Sequence, residues 1–250
     1  MAGHNKWSKV KHIKERVDAR KGRAFSKMSR ELTIAAKAGG GDPDANARLR
    51  SAILAAKAVN MPSDNIERAI KKGTGELAGD LIEEAVYEGF GPSGVAFMIE
   101  VVTDNKNRVI NDLRTLFNKN GGSIGSSGSV AFLFDRKGEI KLPATVGTED
   151  AVLEMALEAG ADDVQSDDEE HTILTAPDQL YAVVHSLKTH GIAPSSARLA
   201  YLPQNTLLLD DPAVAATTLK LYDLLDDYDD TQNVYANFDL VDEVMATLAS

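Results

Sequence analysis

The spacing of apolar residues changes once along this 250-residue chain, near Gly79, and that change limits the folds open to it. Before Gly79 the apolar positions recur at helical spacing. After it, short runs rich in β-branched and aromatic residues alternate with helical stretches. Ala85–Phe90 and Val95–Thr103 read as two strands joined by Gly91-Pro92-Ser93-Gly94. A helix is expected over Asn105–Asn118, then a Gly/Ser loop at 121–129 and a strand at Val130–Phe134. Residues 138–203 read β-α-β-β-α-β, with elements at Glu139–Leu142, Glu149–Ala159, Asp163–Gln165, Thr172–Thr175, Pro177–His190 and Ser196–Leu202. That order is the ferredoxin-like, or split βαβ, pattern. The tail adds a strand at Thr206–Leu209, a helix at Pro212–Leu225 and a strand at Val234–Phe238.

The middle ββαβ segment is incomplete by itself, and the βαβ tail could complete its sheet. The expected class is therefore α/β (α+β): an N-terminal helical bundle followed by two small α/β domains, one ferredoxin-like and inserted into the other. The expected boundaries are 1–78 for the helical domain, 79–136 plus 204–250 for a discontinuous α/β domain, and 137–203 for the insertion. Within the helical part, Phe25, Met28, Leu32, Ala35 and Ala36 form the apolar face of a helix over 23–37 that Gly39-Gly40-Gly41 ends. Asp42-Pro43 has the form of an N-cap and N1 pair, opening a helix that runs to about Val59 with Leu49, Ala52, Ile53 and Ala56 on one face. A third helix begins at Ser63 or Asp64, faces inward with Ile66, Ala69 and Ile70, and stops at Gly73.

Charge divides the chain at nearly the same place. Residues 1–75 hold 17 Lys and Arg against 7 Asp and Glu, a net +10, whereas 76–250 carries −21 of the overall −11. A polyanion would be attracted to one end and repelled by the other. Lys6, Lys9, Lys11, Lys14, Arg16, Arg20 and Lys21 surround a narrow apolar stripe of Trp7, Val10, Ile13 and Val17, so this arm has little to bury and is expected to order on binding. Arg23, Lys27, Arg30 and Lys37 fall on one side of the helix that follows, as a basic face in solvent. These cations, with Trp7, are the candidate nucleic-acid-binding residues. Lys and Arg neutralise phosphates, and an indole can either stack on a base or anchor a helix.

Other chemistry finds little support. Gly89-Phe90-Gly91-Pro92-Ser93-Gly94 matches G-x-G-x-x-G, yet strand-like Val95–Ile99 follows it where a dinucleotide site needs a helix N-terminus, so it reads as a turn. The five histidines show no metal-ligand spacing, and His185 and His190 read as solvated helix residues. The acidic pairs from Asp162-Asp163 to Asp229-Asp230 read as hydrated clusters in loops and at helix ends. No cofactor, metal site or catalytic residue is expected, nor an enzyme. The chain has no cysteine, no membrane-length apolar run and no secretory h-region, which fits the cytoplasm.

Ala2-Gly3-His4-Asn5-Lys6-Trp7 with Ile13-Lys14, Gly39-Gly40-Gly41-Asp42-Pro43, Asn46-Ala47-Arg48-Leu49-Arg50 and Asn60-Met61-Pro62 with Ile66–Ile70 resemble the motifs of the YebC family of probable transcriptional regulators. So do Tyr87–Pro92, Thr103-Asp104-Asn105-Lys106-Asn107-Arg108, Gly128-Ser129-Val130 and Tyr201-Leu202-Pro203, so the resemblance spans essentially the whole chain. Asn5 stands where the family usually has Ser, and Ser93 where it usually has Gly. The resemblance implies a three-domain α/β protein that binds nucleic acid. Two roles are known in the family. Some members are DNA-binding transcriptional regulators. Others act in translation, among them a mitochondrial translational activator of cytochrome c oxidase and bacterial factors that relieve ribosome stalling at proline-rich stretches. The implied partners are therefore DNA, or rRNA with ribosomal proteins. The absence of a presequence points to the bacterial branch.

Overall fold

The computed structural model describes residues 17–79 and 81–249. It divides into two compact units, and the chain passes from one to the other within its first helix, after residue 79, and near residues 135 and 201.

One unit contains the described residues up to 27, with 81–135 and 202–249. Strands β1 (Glu83–Phe90) and β2 (Ala96–Thr103) form an antiparallel hairpin in unbroken register from Glu83 opposite Thr103 to Phe90 opposite Ala96. The G-x-G-x-x-G match lies at its tip as a 3₁₀ turn over Pro92–Gly94, closed by the Gly91 N–H donating to the Val95 carbonyl at 2.7 Å. Helix α4 (Lys106–Lys119) starts at Asn105, whose side chain accepts from the Arg108 N–H, and β3 (Ser123–Ile124) then pairs with β1. From the tail come β8 (Leu207–Leu209), α7 (Pro212–Asp226), β9 (Thr231–Ala236), β10 (Phe238–Leu240) and α8 (Asp242–Ala249). The main sheet runs β3-β1-β2-β9, and β8 pairs in parallel with β10 apart from it. Alternate residues of β2, Phe97, Ile99 and Val101, enter a core with Val109, Leu113 and Phe117 of α4 and Leu221 and Leu225 of α7.

The other unit contains residues 28–79 and 136–201. Its sheet carries β4 (Phe134–Pro143), β5 (Asp163–Ser166), β6 (Glu170–Thr175) and β7 (Ser196–Pro203) in the order β5-β6-β4-β7. With α5 (Glu149–Glu158) and α6 (Leu180–Thr189) as the two connections, this is the ferredoxin-like arrangement, and the chain is of the mixed α/β class. Ile140, Leu142, Ile173, Leu180, Val183 and Leu187 fill its core. The helical part consists of α1 (Val17–Gly39), α2 (Ala47–Ala58) and α3 (Ser63–Thr74), with Leu32, Leu49 and Ile66 buried.

Several boundaries correct the sequence reading. Residues 17–22 are not separate from the helix over 23–37; they belong to the same 23-residue helix. Asp42 does not start α2. It accepts from the Asp44 N–H at 2.9 Å in a tight turn, and Asn46 caps the helix. Asn46 accepts from the Leu49 N–H and donates through Nδ2 to the Ala35 and Gly40 carbonyls, at 2.8 and 2.9 Å. A carboxylate has no donor for those two bonds. Gly73 does not end α3 but lies within it, where a Cβ would come 2.3 Å from the Thr33 carbonyl oxygen; Gly75, at φ +82°, supplies the left-handed stop.

The strand expected at Val130–Phe134 is a 3₁₀ turn at Ala131–Leu133, with β4 starting at Phe134. The physical cause is Glu88. Its carboxylate accepts the N–H groups of Gly128, Val130 and Ala131 at 2.6, 2.7 and 2.9 Å, removing them from any ladder.

Candidate nucleic-acid interface

Of the twelve candidate residues, Lys6, Trp7, Lys9, Lys11, Lys14 and Arg16 lie outside the described residues. Arg20 and Lys21 are positions of α1. Lys37 is exposed in its last turn, where a cation complements the negative end of the helix dipole, and Arg30 is half-buried. The surprise is at Arg23 and Lys27. Read from sequence as part of a solvent-facing basic face, they are ion-paired with the chain's own carboxylates: Arg23 to Asp227 at 2.9 Å, Lys27 to Asp226 at 2.8 Å. The four side chains retain 22–45% of their exposure, so water and salt still reach both pairs. With Gly22, Ser26 and Tyr228 they line a cleft of about 280 Å³.

The turn that bears those carboxylates is held by a set of bonds through Asp230 and Tyr228, which corrects the reading of Asp230 as hydrated. The turn from α7 to β9 carries Asp226, Asp227, Asp229 and Asp230. Asp230 is only 6% exposed; its Oδ2 accepts from the Thr103 hydroxyl at 2.9 Å and from Arg108 at 2.6 Å. Arg108 also reaches Asp104, one helical turn back, at 2.9 Å. These hydrogen bonds, Asp230 first, hold the Arg108 guanidinium above its usual range, so it stays charged. Tyr228 donates to Asp112 at 2.8 Å, and burial together with that bond pushes its phenol up to about 12. One side of the turn is thus fastened to the start of α4, and the other presents two carboxylates to α1.

Elsewhere three of the acids and one histidine also have structural partners. Asp162 pairs with Lys137 at 2.8 Å, Glu170 pairs with Lys141, and Asp211 caps α7 by accepting from the Ala213 N–H at 2.7 Å. His171 is 3% exposed, with one ring nitrogen against the Ser166 hydroxyl and the other against the Gly147 carbonyl. Among the described residues, no group of three or more His, Asp or Glu could hold a metal ion, and no helix is long and apolar enough to cross a membrane.

Two family models match consecutive stretches: the TACO1/YebC protein N-terminal domain over residues 5–76, and the TACO1/YebC second and third domain over 82–238. The chain belongs to the TACO1/YebC family. A probable transcriptional regulatory protein of Akkermansia muciniphila is 53% identical over 250 residues, covering 99% of this chain and all of that one. One from Desulfotalea psychrophila is 48% identical over 249 residues, covering both chains completely. The crystal structure of a conserved hypothetical protein from Aquifex aeolicus superposes with a TM-score of 0.87 at 46% identity, covering 96% of this chain and 98% of that one.

Against that background, several stretches that carried the YebC resemblance have structural work in this chain. Thr103, Asn105 and Arg108 form the cap and clamp that hold Asp230, Glu88 gathers the Gly128–Ala131 loop, and Asn46 joins α1 to α2. Sequence reasoning missed all of these anchors. The Asn105–Arg108 cap and the Asp104–Arg108 spacing of four are local; the partners of Arg23, Lys27 and Asp230 are far away in sequence.

Proposed function

We propose that this chain is a DNA-binding transcriptional regulator that grips backbone phosphates through its basic N-terminal segment. The observation that carries this reading is the segregation of charge: +10 over residues 1–75 against −21 over the remainder. Eleven of those cations fall within the first 37 residues, a density that suits a phosphate track. Relatives named as probable transcriptional regulatory proteins, at about half identity over their full length, support the same reading. Among the described residues no recognition helix for the major groove is evident, so phosphate contacts outweigh base contacts.

The ion pairs at Arg23 and Lys27 add a condition. A phosphate reaching these two side chains has to displace Asp226 and Asp227, so α1 binds a polyanion against internal competition.

The test is promoter-fragment binding over a salt series by the full chain and by a variant with Lys6, Lys9, Lys14, Arg20 and Arg23 changed to Glu. The variant should lose affinity and flatten the dependence of log K on log salt by about 0.9 for each phosphate contact removed. Unchanged affinity and slope would refute the proposal. If DNA binding is weak in both proteins while ribosome co-sedimentation is strong and lost in the variant, the target is rRNA.

A further inference from the structure

Helix α2 of the helical part and helix α6 of the ferredoxin-like part contribute to one cleft that includes none of the twelve candidate residues above. Arg50 and Ser51 face it from α2, and Tyr181, His185 and Lys188 face it from α6. On α6 the spacing i, i+4, i+7 places these three side chains on one face; on α2, Arg50 and Ser51 continue the face begun by Ala47. No lining residue is acidic.

The charges in this cleft are unbalanced. Burial, and then the neighbouring Arg50, push the Lys188 ammonium below its usual range, and no carboxylate acts in the other direction. Among the described residues, Arg50 makes a long, 3.5 Å contact to the Asp44 carbonyl. The nearby acid, Glu31, is taken by Arg48 through two bonds of 2.8 and 3.0 Å. Burial raises the Tyr181 phenol, so its hydroxyl remains a donor at neutral pH. Two cations in a partly desolvated concavity, with hydroxyl donors beside them and no carboxylate among the described lining residues, form a site lacking its counter-charge.

We propose that this α2–α6 cleft binds a phosphate group, with Arg50 and Lys188 neutralising it and Ser51, Tyr181 and His185 placed to bond its oxygens. Its volume of about 120 Å³ is below the roughly 300–1,000 Å³ of pockets that enclose whole small molecules. It therefore takes one phosphate, from a nucleic-acid backbone or from a free phosphate or phosphomonoester, and not an entire nucleotide.

His185 provides a reporter inside the cleft. In the full chain with ¹³C-labelled histidine, its ring resonance is assigned by loss of the signal in H185Q and followed in two titrations. One uses inorganic phosphate against chloride at matched ionic strength; the other uses a short DNA duplex. Phosphate should shift the His185 resonance saturably, chloride should not, and the R50Q/K188Q variant should lose the response while its His171 resonance stays in place. No shift with phosphate or duplex, or a shift that survives in R50Q/K188Q, overturns the proposal. If the duplex also moves His185, and R50Q/K188Q lowers the salt slope of DNA binding by about 0.9, the phosphate is a backbone one. If phosphate acts and the duplex does not, the ligand is free. The phosphate titration does not depend on Lys6, Lys9, Lys14, Arg20 or Arg23, so the five-residue Glu variant should respond as wild type does even if those cations prove not to bind DNA.

Discussion

Replacing Glu88 by Gln changes one atom group in a side chain that organises an entire loop. Glu88 is 6% exposed; its Oε2 accepts from Val130 and Ala131, and its Oε1 from Gly128. In E88Q the amide oxygen can serve Val130 and Ala131, but the new NH₂ meets the Gly128 N–H donor to donor. One unmade bond at a buried site costs about 1–3 kcal/mol, and the remaining two lose the charge assistance that roughly doubles their strength. A loss of about 2–4 kcal/mol at pH 7 follows. The effect also depends on pH. Burial pushes the Glu88 carboxyl up, but the three backbone donors outweigh it and hold the group below the usual carboxylate range. The folded carboxyl is the stronger acid, so the unfolded state binds more protons and stability rises with pH. Glu88's contribution is therefore complete above the unfolded value of about 4.3 and is lost as pH falls through it toward the folded value. Urea unfolding of wild type and E88Q from pH 7 to pH 3.5 isolates this group, because the other carboxylates cancel in the difference. A difference below about 0.5 kcal/mol at pH 7, within ordinary surface-substitution scatter, or one constant across the range, would refute the reasoning.

Three further outcomes follow from named positions. Ser93 is an exposed residue held at φ 54°, so S93G should raise stability by about 1 kcal/mol; an unchanged or lower melting temperature contradicts this. At Gly73 propensity and packing disagree. Alanine is favoured in a helix by about 0.8–1.0 kcal/mol, but its Cβ would meet the Thr33 carbonyl at 2.3 Å and the Ala36 Cβ at 2.8 Å. G73A should therefore destabilise by about 1–3 kcal/mol, and a stabilised variant would show that α1 and α3 can separate freely. Removing both carboxylates in D226N/D227N breaks two half-exposed ion pairs worth about 0.2–1 kcal/mol each, so DNA affinity at low salt should rise about two- to thirtyfold. The gain should shrink as salt is added, and unchanged or weaker binding would remove the internal competition from the account.

What the sequence revealed, and what it hid, follows the range of the interactions. The βαββαβ order was legible because each element there is set by periodicity within ten or so residues and linked by short loops. The 3₁₀ turn at Ala131–Leu133 read as a strand because Val130, Phe132 and Phe134 alternate correctly; Glu88, 42 residues from Val130, overrides that pattern. Helix α8 was missed because Asp242–Ala249 gives barely two turns of signal. At the candidate interface, the charge imbalance of the first 75 residues is a property of composition and needed no structure. The pairing of Lys27 with a carboxylate 199 residues away is a property of the fold and had no sequence signal. The α2–α6 cleft was hidden for the same reason, since Arg50 and Lys188 are each unremarkable on their own helices.

The placement of β9 has a consequence for the order in which this protein can be made. Its register puts Phe97 opposite Ala236, and the Thr103–Asp230 bond that secures the same junction joins residues 127 positions apart. A ribosome therefore releases β1 and β2 long before the strand and helix that finish their sheet. The β4–β7 segment, whose four strands all lie within 134–203, has its full set first. During that interval β2 exposes an open hydrogen-bonding edge, and Phe97, Ile99 and Val101 lack the cover of α7. A nascent chain stopped near residue 205 is thus a sheet waiting for its last strand, prone to pair with whatever edge it meets. Trimming the C-terminus of this protein would damage a structure begun more than a hundred residues earlier.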